Sequence, residues 1–225
     1  MTSSVRTFLR GGALALLAFL GACSIIPEPP PAPRIYPLRA AVQPSADAPA
    51  AMVIAVPEPT VSNVLAGEDI VWMRDGILGY MERGVWSSRT PIALQALVIE
   101  TIDGQNLVMA AIRSGEGPRA DAELRWQVTD FQVEERGDRL VARFGADLKL
   151  MNGRTRTVYA ATRISEEAPI PQRSATAAAR VLQTLAQRNA AKIGEWAANA
   201  AMIERAQVQR PGEVDAQPKA ASTSK

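Results

Sequence analysis

The stretch LVARFGADLKLMNGRTRTVYAATRI, Leu140 to Ile164, decides the fold. Leu140 to Leu150 and Thr155 to Ile164 read as two strands, and Asn152-Gly153 stands between them. Asn-Gly supplies the positive φ angles that a tight hairpin turn needs, so the two strands are expected side by side and antiparallel. Just upstream, Glu135-Arg136-Gly137-Asp138 turns the chain. Before that turn, Ala122 to Val133 alternates, with Leu124, Trp126 and Val128 on one face. Phe131 and Val133 fall out of that phase, which implies a bulge or a register change.

Working outward from these three antiparallel strands, Ala51 to Val56 is a short apolar run rich in β-branched residues and ended by Pro57, the pattern of a buried strand. Ile70-Val71-Trp72-Met73 and Ile77-Leu78-Gly79-Tyr80 flank Arg74-Asp75-Gly76 and predict a second hairpin, with Gly84-Val85-Trp86 following as a loop. Thr90 is placed to cap a helix with Pro91 in its first turn. Ile92, Ala96, Leu97 and Ile99 then recur at helical spacing to Ile102, and Gly104 is the expected stop. Leu107 to Ile112 is a strand. A last helix runs from about Arg173 to Ile203 with Leu182, Leu185, Ile193, Trp196 and Ala200 on one face, and its many alanines favour helix and allow close packing. The order β, β-hairpin, α, β, three antiparallel strands, α points to an α/β domain with a mixed sheet and helices packed against it.

The start of the chain has a different character. Arg6 and Arg10 precede a run, Gly11 to Ala22, in which every residue is apolar or glycine, and the first acid is Glu28. That is the pattern of a secretory signal, too short for a membrane-spanning helix of ~20 apolar residues. Leu20-Gly21-Ala22-Cys23 resembles the bacterial lipobox. The resemblance implies that the Cys23 thiol takes a diacylglycerol, that residues 1–22 are removed, and that the new amino terminus is acylated. The alternatives are an ordinary secretion signal beside an unrelated cysteine, or a buried structural cysteine, which the prolines that follow at once argue against. Cys23 is the only cysteine, so no internal disulfide can form. Several acyl chains would hold the protein stably at a membrane. Ser24, the residue after the cysteine, is compatible in the family rule with sorting to the outer membrane, periplasmic face, with the inner membrane as the alternative.

Composition narrows the function classes. Without residues 1–22 the chain has 23 basic and 23 acidic residues. A balanced chain offers no electrostatic footprint for nucleic acid. There is no histidine, which excludes histidine-based triads and histidine metal ligands. No metal and no cofactor are expected, apart from the covalent lipid on Cys23. Residues 23–50 are rich in Pro and Ala and read as a tether of up to ~80 Å if extended. Within it Arg34-Ile35-Tyr36-Pro37-Leu38 can form an edge strand, so the domain assigned to 51–204 has an alternative start near 34. Residues 205–225 lack an apolar pattern and read as a disordered tail.

These landmarks, taken in order, resemble the ABC-type transport auxiliary lipoprotein component family. They are the lipobox with its Pro-rich run, Arg34–Leu38, Ile70–Gly76, Tyr80 and Trp86 before a helix, the long strand Ala122–Val133, and a terminal helix with Trp196. The resemblance implies a three-layer α/β arrangement with a mixed sheet. It also implies a non-catalytic subunit working beside an ABC ATPase, a permease and a mammalian-cell-entry (MCE) protein that move lipids across the Gram-negative envelope. The competing class is an envelope lipoprotein acting as a structural adaptor or assembly factor. A hydrolase is disfavoured by the lack of histidine and of a free thiol.

Tyr80 and Trp86 are the candidate partner or lipid contacts, the alternative being that both pack against the first helix. Glu134-Glu135 and Glu166-Glu167 are adjacent acids on strands, whose neighbours point to opposite faces, so neither pair is expected to form a catalytic dyad. Gly115-Glu116-Gly117-Pro118 is a turn without the lysine of a phosphate loop. The sequence leaves homo-oligomerisation open.

Overall fold

The structure is a computed structural model, and it describes residues 31–209. The lipobox residues Leu20, Gly21, Ala22 and Cys23, and the tail from residue 210 on, lie outside the described residues. Eight strands form one mixed sheet: β1 (Arg34–Tyr36), β2 (Ala50–Val56), β3 (Asp69–Arg74), β4 (Ile77–Trp86), β5 (Val108–Arg113), β6 (Ala122–Arg136), β7 (Arg139–Asn152) and β8 (Val158–Ile170). Two helices accompany it, α1 (Thr90–Gln105) and α2 (Ala175–Val208).

The antiparallel β6–β7–β8 meander is the spine, as the alternation in Ala122–Ile164 predicts. The ladder slips between Val128 and Asp130, the expected irregularity, and this returns Phe131 and Val133 to the buried face. The other edge of β6 is shared. Its first residues pair in parallel with β2 (Ile54 beside Ala122), and its last residues pair in parallel with β3 (Val71 beside Gln132). The sheet therefore forks, with β5 outside β2 and with β4 then β1 outside β3. The segment between β2 and β3 bridges the fork, where Thr60 pairs with Gln127 and the Trp126 indole donates to the Pro57 carbonyl at 2.9 Å.

Alternation decides which face is covered. Leu140, Ala142, Phe144, Ala146, Leu148 and Leu150 of β7 are all buried, whereas Arg125, Gln127 and Thr129 of β6 and Ala161, Arg163, Ser165 and Glu167 of β8 are exposed. Both helices pack against the sheet and against each other, and the core residues form one cluster. The α/β class and the mixed sheet are as expected. Gly194 of α2 permits the close helix contact, because a Cβ there would meet Gln105 Oε1 at 2.1 Å and Ile102 at 3.1 Å.

Several local expectations change. Thr90 is the first residue of α1 rather than its cap, and its backbone N–H and hydroxyl both donate to the Gly67 carbonyl. The helix does not stop at Gly104: Asn106 takes the left-handed conformation (φ 56°) instead, while Gly104 packs under Val42, 3.0 Å from where its Cβ would lie. Ile92, Ala96 and Ile99 are half-buried, and the deeper residues are Leu94, Leu97, Val98 and Ile102, because α1 is covered on almost every side. Gly84-Val85-Trp86 is the end of β4 rather than a loop, held by parallel pairing with Arg34, Ile35 and Tyr36.

The loop after β7 also differs from a two-residue turn. It spans Asn152 to Thr157, with Asn152 Oδ1 accepting from the backbone N–H groups of Arg154 and Thr155 and with Arg156 in the left-handed region. Gly153 is needed for closeness, since its Cβ would fall 2.0 Å from the Ala120 carbonyl oxygen. Residues 34–49 do not form a free tether. Leu38 is buried, Ser45 donates to the Gln105 carbonyl, Gln187 to the Arg39 carbonyl, and Asn106 to the Ala46 carbonyl. The folded unit begins at Pro33. At the other end α2 continues to Val208, so residues 205–208, read as tail, are helical. Ser174 caps α2, accepting from the Ala177 N–H at 3.2 Å. Among the described residues no helix is long and apolar enough to cross a membrane.

Candidate interaction surface

The β3–β4 hairpin presents a contiguous apolar exposed patch. Asp75 (φ 50°) and Gly76 (φ 76°) both take the left-handed conformation that a two-residue hairpin turn demands, as Asp-Gly predicts. Every residue from Arg74 to Tyr80 is exposed, and Ile77 (74%), Leu78 (45%) and Tyr80 (54%) carry apolar side chains into solvent. Single exposed apolar side chains are ordinary, but contiguous ones mark interaction sites. A hollow of about 290 Å³ lies among Trp72, Arg74, Ile77, Leu78 and Tyr80.

A cationic clamp braces this hairpin beside its turn. The guanidinium groups of Arg74 and Arg173 lie 4.6 Å and 5.6 Å from the Trp72 ring centroid. Both bind Glu135, Arg74 Nε at 2.6 Å and Arg173 at 2.5 Å. The Arg173 hydrogen bond, with that of Arg74, holds the Glu135 carboxyl below the usual range. The clamp joins the hairpin to β6 and to the segment entering α2.

On the opposite face of β6 a second network forms. Arg136 binds Glu134 at 2.9 Å and Glu167 at 2.8 Å, and Arg143 binds Glu134 at 2.9 Å. The Arg136 hydrogen bond, opposed by burial and reinforced by Arg143, brings Glu134 from its ordinary 4.5 down to about 2. Each adjacent acid pair is thus split, as strand geometry requires. Glu134 and Glu135 meet different arginines. Glu166 turns to Arg188, Lys192 and Asn189 on α2, while Glu167 turns to Arg136. The arginine-bound carboxylates of Glu134, Glu135 and Glu167, all lowered, brace strands; they are not poised as general acids near neutral pH.

The two aromatic candidates part company. Tyr80 is on the exposed hairpin. Trp86 is 2% exposed and stacks on Phe131 in the core, so its ring is closed to any partner. Its ring partner is Phe131 of β6, with 5.3 Å between centroids. Ile77 and Leu78 were not singled out from sequence as contacts, because an apolar pair after a turn reads as the start of an ordinary half-buried strand.

Comparison with known proteins agrees with this architecture. The structure of protein XCC0632 from Xanthomonas campestris superimposes with a TM-score of 0.71, at 16% identity over 77% of this chain and 99% of that one. A solved structure of an uncharacterized protein does so at 0.58, with 15% identity over 73% and 98%. At these identities the likeness is one of fold. None of the curated proteins matches the chain. The model of one sequence family matches residues 36–194, from the end of β1 through most of α2. That match spans well over half of the chain, and the chain belongs to the ABC-type transport auxiliary lipoprotein component family.

Proposed function

We propose that this protein is the lipid-anchored, non-catalytic subunit of an ABC transport system of the MCE type, moving lipids across the Gram-negative envelope. Cys23 carries the diacylglycerol and N-acyl chains, and the domain works on the periplasmic face of the outer membrane. The ATPase, the permease and the MCE-domain protein supply energy and path; this chain supplies a docking body. The observation that carries the reading is the family match over residues 36–194 downstream of Leu20-Gly21-Ala22-Cys23. The exposed hairpin with Tyr80 supports a role in contact rather than in chemistry.

Affinity purification of the tagged protein from detergent-solubilised native membranes tests this. The expected co-purifying proteins are an ABC ATPase, a permease and an MCE-domain protein. Recovery of envelope-assembly machinery alone would instead support an adaptor unrelated to transport.

A further inference from the structure

Arg34, the first residue of β1, lies at the end of its strand nearer the turn of the β3–β4 hairpin. β1 pairs in parallel with the last residues of β4, Arg34 beside Gly84 and Tyr36 beside Trp86. Because the two strands run the same way, the chain preceding Arg34 approaches from the side on which the Asp75-Gly76 turn lies. From Gly84 back to Ile77 the hairpin extends at most roughly 23 Å, at about 3.3 Å per residue. The eleven residues from Cys23 to Arg34 span up to roughly 34 Å at about 3.1 Å per residue. A membrane holding Cys23 is therefore within reach of the hairpin turn.

The outer edge of β4 is also free there. Among the described residues β1 covers only Gly84, Val85 and Trp86, which leaves Ile77–Glu82 unpaired on that side.

We infer that the β3–β4 hairpin is a second membrane contact, seating Ile77, Leu78 and Tyr80 in the interface of the bilayer to which Cys23 is attached. Apolar side chains beside a tyrosine suit the boundary between headgroups and acyl chains. Arg74 and Arg173 both bind Glu135, and the hairpin Asp69–Trp86 carries Asp69, Asp75 and Glu82 against Arg74 and Arg83, so it has no excess of positive charge and the contact does not require anionic lipid. One acyl attachment leaves a domain free to swing; a second contact fixes which face it turns to its partners. The inference rests on the lipid-anchor reading of Cys23 for its place in the cell, but its test does not.

Cys23 is the only thiol, so the chain from residue 23 can be coupled chemically to maleimide-bearing lipid in phosphatidylcholine vesicles. Amide exchange is then followed at Leu78–Met81 and, as a control edge, at Met109–Ile112. Coupling is expected to slow exchange at the hairpin by about tenfold or more and to leave the control edge unchanged. The variant carrying Ile77→Ser and Leu78→Ser, with its melting temperature checked, is expected to lose the slowing. Exchange at the hairpin that is unaltered by coupling, or slowed equally in the variant, would overturn the inference. Whether cells lipidate Cys23 is read separately, from the mass of the native protein.

Discussion

Trp86 stacks on Phe131, with ring centroids 5.3 Å apart and planes inclined by 26°. Phe131 in turn meets Phe144 edge to face at 6.1 Å, so the last residue of β4 is locked into the central meander. Trp86→Ala is expected to destabilise the domain by about 3–5 kcal/mol in denaturant unfolding. With Phe131→Ala added, the pair should cost less than the sum of the two single changes, by about 1 kcal/mol. Tyr80→Ala, on the exposed hairpin, should stay within about 0.5 kcal/mol of the parent. A Trp86→Ala change as mild as that would contradict the burial of the indole.

Gly153 and Gly79 make a matched pair. A Cβ on Gly153 would meet the Ala120 carbonyl oxygen at 2.0 Å, which is backbone and cannot swing away, while one on Gly79 meets nothing within 4 Å. Gly153→Ala should therefore cost about 1–3 kcal/mol and Gly79→Ala close to nothing, as read by thermal unfolding. Equal effects would show that the approach of the β7–β8 loop to the start of β6 is looser than described.

Acid should loosen the exposed face of the sheet. The folded Glu134 carboxyl lies near 2 against an ordinary 4.5, because Arg136 and Arg143 bind its ionised form. A depressed carboxylate contributes fully above its unfolded value and loses that contribution as pH falls toward the folded one. Unfolding free energy should thus decline between pH 4.5 and pH 2, and Glu134→Gln should make the decline shallower. Glu135 and Glu167 are lowered in the same sense, so the variant keeps some slope. A steeper decline in Glu134→Gln would refute the assignment.

The segment before β2 is part of the domain. A chain beginning at Ala50 loses the β1 pairing, the buried Leu38 and the hydrogen bond from Ser45 to Gln105. Burying one leucine is worth about 2 kcal/mol, and a hydrogen bond about 1. The shortened chain should accordingly unfold at lower denaturant by at least about 2 kcal/mol relative to one beginning at Pro33. Equal midpoints would mean that residues 33–49 rest on the surface without contributing.

That segment also shows where sequence reading stops. The strands and helices were legible because their signals are local: alternation in Ala122–Ile164, Asp75-Gly76 at the first hairpin, and the alanine-rich run of α2. The partners of residues 34–46 lie far along the chain, at Gly84–Trp86, Glu100, Gln105 and Gln187, so the sequence offers an edge strand at Arg34–Leu38 but reads the rest of the stretch as a tether. The parallel pairings that fork the sheet are equally non-local. Gly104 and Asn106 are two residues apart and both can end a helix; packing against Val42 decided between them. Tyr80 and Trp86 look alike in sequence, but the structure leaves Tyr80 exposed on the hairpin and stacks Trp86 on Phe131 in the core, a partner 45 residues along the chain.

The central claim is a folded body held at a membrane through Cys23. Intact-mass measurement of the native protein, taken from fractionated membranes, tests it most directly. The account predicts a chain that begins at Cys23 and carries a diacylglycerol and an N-acyl group, with Cys23→Ser appearing in the soluble fraction. A native chain with an unmodified thiol, or a Cys23→Ser variant that stays with the membranes unaltered in mass, would contradict it.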